Sequence, residues 1–116
     1  MDAQLKQKWI EALRSGKYDQ TKGALRTEAG FCCLGVLCEV TGAGLWDRDG
    51  EDFVYSCSDG LSGSGYMPSV VAVISGLSSK QEGELASRND GGSAFSEVAD
   101  YIEANIPADP TPAPGA

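Results

Sequence analysis

One segment, Phe31 to Cys38, constrains the fold of this chain more than any other. Its sequence is Phe-Cys-Cys-Leu-Gly-Val-Leu-Cys, so it has no polar side to present to water. A helix that is apolar all round must be covered by other elements. We therefore predict a buried helix over residues 31–41, which ends at Gly42. Because a glycine inside a helix costs about 1 kcal/mol relative to alanine, Gly35 indicates that another backbone packs closely there.

The cysteines of this chain are predicted to be core thiols. Cys32 and Cys33 are adjacent, Cys38 lies five residues further, and Cys57 stands alone. Zinc sites use paired ligands such as Cys-x-x-Cys, often with histidine, and this chain has no histidine. The usual Cys–His pair of a thiol enzyme therefore cannot form. A metal site and a reactive thiol are the less favoured alternatives, and we expect no metal and no cofactor.

Two further helices follow from the spacing of apolar residues. The first, over residues 3–15, has apolar residues at i, i+4, i+7 and i+8, namely Leu5, Trp9, Ala12 and Leu13. The last, over residues 94–106, has one continuous apolar face, formed by Phe95, Val98, Ala99, Ile102 and Ile106. Ser93 is the predicted N-cap of the last helix, and Pro107 ends it.

The middle of the chain carries strand signals. Residues 45–55 predict a β-hairpin, because Asp49-Gly50 is a strong turn signal between aromatic and β-branched residues. Weaker patterns suggest short strands at residues 24–26 and 84–87. Residues 69–75 fit either a helix or a strand, since a preceding proline suits the first and the valines suit the second.

Together these elements predict a single compact α+β domain over residues 1–106. Three or four helices would pack with a small antiparallel sheet that contains the hairpin. The final residues, 107–116, are rich in proline and alanine and are expected to form a disordered tail. Because a small domain has few elements with which to cover the buried helix, we also expect a homodimer or a larger homo-oligomer.

The charge of the chain limits its partners. Seventeen acidic residues against nine basic residues give a formal net charge of −8, which would repel nucleic acid. The sequence has no apolar run of about 18 residues, so we expect no membrane partner. The first residues lack the apolar core of a secretory signal, so we expect a cytoplasmic protein with reduced thiols.

Two polar segments carry the residues best suited to hold a ligand. Residues 14–26 place arginines and lysines around a tyrosine and a glutamine, with Lys8 one helical face earlier. Residues 88–93 lead into the last helix, where free backbone N–H groups suit an anion. Arginine holds phosphate, tyrosine stacks on a base, and amides read polar edges. The predicted ligand-binding residues are Arg14, Lys17, Tyr18, Gln20, Arg26, Arg88 and Asn89. A solvated turn and an ordinary capping loop are the alternatives left open.

The acidic residues of the hairpin support a different function. Presented to a basic protein surface, they would imitate the phosphates of a nucleic acid; the residues concerned are Asp47, Asp49, Glu51, Asp52 and Asp59. A calcium loop is less favoured, because its glycine belongs at the sixth position and Gly50 is the fourth residue from Asp47. The sequence contains no Walker loop, no Gly-x-Ser-x-Gly and no Gly-x-Gly-x-x-Gly, so nothing in it singles out an enzyme.

Three strings in the sequence form a signature. They are Trp-Ile-Glu-Ala-Leu-Arg-Ser-Gly-Lys-Tyr at residues 9–18, Cys-Cys-Leu-Gly-Val-Leu-Cys at residues 32–38, and Asn89-Asp90 ahead of the last helix. Together they resemble a family of small proteins that tailed bacteriophages encode. In that family a tyrosine stands in place of Phe31, and a second basic or polar residue stands near the position of Asp19. The resemblance implies a viral accessory protein in the cytoplasm of a bacterial host, and it implies no reaction.

These observations favour a non-catalytic protein that binds and sequesters a phosphorylated small molecule, such as a nucleotide signal of host anti-phage defence. The alternatives are an acidic inhibitor of a host protein and a structural or assembly protein.

Overall fold

The computed structural model describes residues 1, 3–50, 52–57, 62–63 and 69–107. These residues form one compact α+β domain, which confirms the predicted fold class. In chain order the elements are α1 (Ala3–Arg14), β1 (Arg26–Thr27), β2 (Gly30–Phe31), α2 (Cys33–Thr41), β3 (Gly44–Asp49), β4 (Asp52–Cys57), β5 (Ser62–Gly63), α3 (Ser69–Ser75), α4 (Ser79–Asp90) and α5 (Phe95–Asn105). None of the helices in these ranges is long and apolar enough to cross a membrane.

The sheet is antiparallel, and its strand order is β2-β1-β4-β3. The predicted hairpin is confirmed as β3 and β4, which pair along their whole length with Trp46 opposite Tyr55. Gly50 lies in the turn with φ of 66°, a conformation that glycine adopts without strain. The short β5 pairs with β4 on the same edge as β1. The register of β1, β2 and β4 places Arg26, Phe31, Phe53 and Tyr55 on one face of the sheet.

Helix α2 lies at the centre of the core, as its apolar sequence predicts. All six residues from Cys33 to Cys38 are buried, and α1, α3 and α4 pack around them. The indole N–H of Trp9 donates to the Cys33 carbonyl at 2.9 Å and joins α1 to α2. A Cβ on Gly35 would overlap the carbonyl oxygen of Leu25, which confirms the close backbone approach. The chain thus covers α2 by itself, and this removes the reason for which a second copy was expected.

The predicted start of this helix is wrong by two residues. Phe31 belongs to β2, and Cys32 is the N-cap of a helix that begins at Cys33. The sulfur of Cys32 accepts the Gly35 N–H at 3.3 Å, which satisfies one free donor of the first turn. The strand predicted at residues 24–26 is also displaced, because β1 consists of Arg26 and Thr27.

The strand predicted at residues 84–87 is wrong, because this stretch lies inside helix α4. A reciprocal capping box starts the helix: the Ser78 hydroxyl accepts the Gln81 N–H at 3.1 Å, and the Gln81 side chain accepts the Ser78 N–H at 2.9 Å. Residues 69–75, which fit either element, form a helix. The number of helices in the described part of the chain is therefore five rather than three or four.

The last helix begins one residue later than predicted, and its cap is different. Ala94, rather than Ser93, is the N-cap residue of α5. Its N–H donates to the carboxylate of Glu97 at 3.0 Å, so the acidic residue in the first turn stabilises the helix end. The predicted tail, apart from Pro107, lies outside the described residues, as do Glu51 and Asp59 of the acidic set.

Candidate functional site

The two polar segments singled out in the sequence meet in the fold. The amide nitrogen of Gln20 donates to the Asn89 side-chain oxygen at 2.9 Å and to the Ser93 carbonyl at 2.7 Å. The N–H of Gly23 donates to the Asp90 carboxylate at 3.0 Å. These are hydrogen bonds within the protein, so both donors of the Gln20 amide hold the two segments together and are unavailable to a ligand.

Asn89 is the centre of this junction and is fully buried. Its oxygen accepts the Cys33 N–H at 3.1 Å as well as the Gln20 amide. Its nitrogen donates to the Thr21 carbonyl at 2.8 Å and to the Asp90 carboxylate at 3.3 Å. The hydrogen-bonding capacity of the side chain is therefore used. The prediction that Asn89 reads a polar edge of a ligand is wrong, because the side chain has neither a free group nor an exposed surface.

Arg14 and Arg88, predicted to hold phosphate, are paired with carboxylates instead. Arg14 donates to Asp100 at 2.7 Å and to Glu103 at 2.8 Å, and these hydrogen bonds raise its pKa. Arg88 forms an ion pair with Glu84 at 3.3 Å. Its guanidinium also lies 3.8 Å from the ring centre of Tyr101. Both arginines therefore have internal partners, which an incoming phosphate would have to displace.

Lys17 and Tyr18 line one cavity of 380 Å³, which we call the α1 cavity. It lies between α1, the turn that follows α1 and the end of α2, and its other lining residues are Lys8, Glu11, Ala12, Ser15 and Val40. Four of these lining residues are spaced at i, i+3, i+4 and i+7, which places them on one helical face; they are Lys8, Glu11, Ala12 and Ser15. The same spacing in the sequence indicates this face, and Lys8 lies on it although it is not among the predicted ligand-binding residues.

The turn after α1 positions Lys17. The hydroxyl of Ser15 donates to the Ala12 carbonyl at 2.7 Å and accepts the Lys17 N–H at 3.2 Å. Gly16 between them has φ of 74°, which lets the chain reverse at the end of the helix. On α1, the carboxylate of Glu11 accepts a hydrogen bond from Gln7 at 2.9 Å. The cavity thus carries two ammonium groups against one carboxylate, although the whole chain has a net charge of −8.

Arg26 lies in a group of rings next to this cavity, formed by Tyr18, Phe31, Trp46 and Phe53, which we call the aromatic cluster. Its guanidinium carbon is 4.2 Å from the ring centre of Phe53, 4.7 Å from that of Phe31 and 5.5 Å from that of Trp46. The Tyr18 ring meets the Phe31 ring edge to face at 5.1 Å. Tyr18 therefore belongs both to the wall of the α1 cavity and to the aromatic cluster.

A family model for a domain of unknown function (DUF8296) matches residues 1–106. The chain belongs to this family. No curated protein and no solved structure matches the chain. The matched range includes the α1 cavity, the aromatic cluster and the buried junction around Asn89.

The four cysteines of this DUF8296 domain are buried and form no disulfide, as the sequence predicts. Burial raises the pKa of Cys32, Cys33 and Cys38, so these thiols stay protonated at neutral pH. Within the described ranges, no group of three or more cysteine and carboxylate side chains is arranged to hold a metal ion. The Cys-Cys-Leu-Gly-Val-Leu-Cys string therefore builds the core and lies outside the candidate site.

Proposed function

We propose that the protein binds a phosphorylated small molecule in the α1 cavity and sequesters it without chemical change. The observation that carries the proposal is the convergence of Lys8, Lys17 and Tyr18 on one cavity. As an accessory protein in the cytoplasm of a bacterial host, it would lower the free concentration of a nucleotide signal. Its effect would then depend on affinity and abundance rather than on turnover.

The size and chemistry of the cavity support this proposal. Its volume of 380 Å³ lies within the range of about 300–1,000 Å³ that is usual for small-molecule sites. Two lysines supply point charges for phosphate oxygens, and the Tyr18 ring offers a flat surface for a base. Elsewhere the acidic body repels anions, so a locally cationic cavity would direct a phosphorylated ligand to one place.

Binding without reaction is favoured by the contacts of the Ser15 hydroxyl, a possible nucleophile in the cavity wall. The Ser15 hydroxyl donates its hydrogen to the Ala12 carbonyl and stabilises the turn. A backbone carbonyl is not a general base, so this contact does not activate the hydroxyl as a nucleophile. The Glu11 carboxylate beyond it is bonded to Gln7. These contacts support a binding protein rather than a hydrolase.

Calorimetric titration of a panel of mononucleotides, dinucleotides and cyclic nucleotides tests the proposal. At least one phosphorylated ligand is expected to bind the wild-type protein with a saturable signal. Lys8→Gln and Lys17→Gln should each weaken its affinity about tenfold, since each removes one charge-assisted hydrogen bond. Lys6→Gln is the matched control: it lies on the same helix but lines a different cavity, so it should leave the affinity unchanged.

The bound ligand is then recovered by heating the complex and identified by mass spectrometry. Recovery of the intact ligand supports sequestration, whereas a converted product would show an enzyme. Equal weakening by Lys6→Gln and Lys17→Gln would place the ligand outside the α1 cavity. Absence of binding by every phosphorylated compound in the panel would overturn the proposal.

The acidic-inhibitor function is the second candidate. It rests on Asp47 and Asp52, which are exposed on opposite strands of the hairpin. The Asp47→Asn and Asp52→Asn double variant should abolish retention of the host protein from a lysate in this case, and Lys17→Gln should not. Retention of the same protein by both variants would contradict this candidate.

A further inference from the structure

The environment of Arg26 differs from that of the other three arginines. Arg14 forms ion pairs with Asp100 and Glu103. Arg48 pairs with Glu28, and Arg88 pairs with Glu84. Within the described part of the chain, no carboxylate lies within ion-pair distance of Arg26. In a chain with 17 acidic and nine basic residues, a half-buried arginine with no acidic partner among the described residues is unexpected.

The sheet fixes the orientation of Arg26. It is directly opposite Phe31 on β2 and next to Phe53 on β4, so all three side chains occupy one face. Aromatic rings contact a guanidinium through its flat face and remove water from that side. The N–H groups at the edge of the guanidinium are left to find acceptors, and five such donors match the oxygens of a phosphate.

The aromatic cluster connects Arg26 with the α1 cavity. The Phe31 ring centre is 4.7 Å from the Arg26 guanidinium carbon and 5.1 Å from the ring centre of Tyr18. Tyr18 in turn lines the α1 cavity together with Lys17. The lysines of the cavity and Arg26 are therefore connected through two rings in contact, Tyr18 and Phe31. Aromatic rings are the surfaces on which nucleobases stack.

We infer that Arg26 is a second phosphate site, and that the ligand is a nucleotide with two separate phosphate groups, such as a nucleoside bisphosphate or a dinucleotide. One phosphate lies in the α1 cavity and the other against the guanidinium edge of Arg26. The inference rests on the proposed function, because it assigns the chemical class of the same ligand. Arg26 belongs to the sheet, whereas the residues that line the α1 cavity come from α1, the turn after α1 and the end of α2.

Titration of matched ligands tests the second site. The probes are adenosine and guanosine 5′-monophosphates, the corresponding 3′,5′-bisphosphates, and the 5′-phosphorylated dinucleotides of the same bases. The wild-type protein should bind a two-phosphate probe at least tenfold more tightly than its monophosphate. Arg26→Gln should remove this difference and leave the affinity for the monophosphate within about twofold, whereas Lys17→Gln should weaken both.

Two further variants separate charge from structure. Arg26→Lys keeps the charge but loses the fork of donors, so it should retain only part of the preference for two phosphates. Arg88→Gln removes an arginine that is already paired with Glu84 and should leave the preference unchanged. The urea midpoint of each variant shows whether it is folded, and the ratio of the two affinities is compared only among folded variants.

The outcomes distinguish this inference from the function on which it rests. Tight monophosphate binding with no gain from a second phosphate would overturn the inference and leave the α1 cavity as the site. Equal weakening of both probe classes by Arg26→Gln would do the same, since Arg26 would then support the fold or the first phosphate. Absence of binding by every probe would overturn this inference, and the same result across the wider panel of phosphorylated compounds would overturn the proposed function as well.

Discussion

At the scale of single residues, Asn89 shows how a polar side chain can hold a fold together from inside. It connects α4 with the start of α2 and with the chain before β1, through the N–H of Cys33 and the carbonyl of Thr21. Its burial is favourable only because each polar group finds a partner. The same sequence feature, an amide next to glycines before a helix, would suit a ligand site equally well, and only the fold distinguishes the two.

We predict that Asn89→Ala destabilises the protein by about 3 kcal/mol, because it leaves the Cys33 N–H and the Thr21 carbonyl without their partner. Urea unfolding followed by circular dichroism measures the loss. Asn105→Ala is the matched control, since Asn105 is exposed and its side chain donates to the Tyr101 carbonyl in its own helix; it should change stability by less than about 0.5 kcal/mol. Equal effects of the two variants would contradict a structural role for Asn89.

The buried thiols predict a dependence of stability on pH. Burial raises the pKa values of Cys33 and Cys38 above the ordinary 9.0. The unfolded chain therefore loses these protons at a lower pH than the folded protein does. Stability is fully present below the unfolded pKa and is lost as the pH rises beyond it, by up to about 1.4 kcal/mol per pH unit for each thiol.

Urea unfolding with a reducing agent between pH 7 and pH 10 measures this dependence. The Cys38→Ala variant, which lacks one of the titrating groups, should show a shallower decline than the wild-type protein. Identical slopes would show that other groups cause the decline. Rapid alkylation of Cys32 or Cys33 in the native protein at neutral pH would contradict the burial of these thiols.

At the scale of elements, two helical glycines have opposite roles. A Cβ on Gly35 in α2 would overlap the Leu25 carbonyl oxygen, whereas a Cβ on Gly83 in α4 has no neighbour within 4 Å. Gly35→Ala should therefore destabilise the protein by at least about 2 kcal/mol, because the clash exceeds the gain in helix propensity. Gly83→Ala should stabilise it by up to about 1 kcal/mol.

Thermal and urea unfolding of the two variants compare the same substitution in two helices. Both changes remove the conformational freedom of a glycine from the unfolded chain, so this contribution largely cancels in the comparison. A stabilising Gly35→Ala would show that the Leu25 backbone can move away from α2. In that case the close packing would not explain why a glycine stands at this position.

The elements differ in how far the sequence predicts them. Helices α1 and α5 follow from their apolar faces, and α2 follows from its continuous apolar run. Helix α4 was missed because Leu85 is its one buried apolar residue, so the sequence has no amphipathic period there. The local signal for this helix is the capping box formed by Ser78 and Gln81. The sequence predicts Phe31 in a helix, whereas it lies in β2, because an apolar run alone does not distinguish a strand from a helix.

The candidate site was predictable only in part, because a sequence shows which residues are charged but not which of them form ion pairs in the fold. Arg14 meets Asp100 and Glu103 across the fold, which no local pattern indicates. Lys17 and Tyr18 line a cavity between the turn after α1 and the polar face of α1. The turn and the polar face are both visible in the local sequence. Arg26 acquires its three aromatic neighbours from the register of the sheet, which the sequence did not specify.

At the scale of the whole molecule, the first and last helices close the domain. The terminal amine of Met1 donates to the Pro107 carbonyl at 3.3 Å, and Arg14 joins α1 to α5 through two carboxylates. The core is thus covered by one chain, with α2 inside it. A homo-oligomer stays a prediction, and sedimentation velocity measures it; its interface would lie on surfaces other than α2.

The net charge of −8 predicts how salt acts on the whole molecule. Excess negative charges repel one another more in the compact state than in the expanded chain, and salt screens this repulsion. Raising NaCl from 0.01 M to 0.1 M shortens the screening length from about 30 Å to about 10 Å. The urea midpoint at pH 7 should therefore rise over this range, although the exposed ion pairs of Arg14 and Arg88 are weakened by the same salt.

The matched control is the same salt series at pH 5, which is closer to the isoelectric point of about 4.3. There the excess charge is smaller, so the rise in the urea midpoint should be smaller as well. Arg14→Gln separates the two effects at pH 7: it removes attractive pairs and adds net negative charge, so its midpoint should rise more steeply with salt than that of the wild-type protein. A wild-type midpoint that falls with salt at pH 7 would show that ion pairs outweigh the general repulsion.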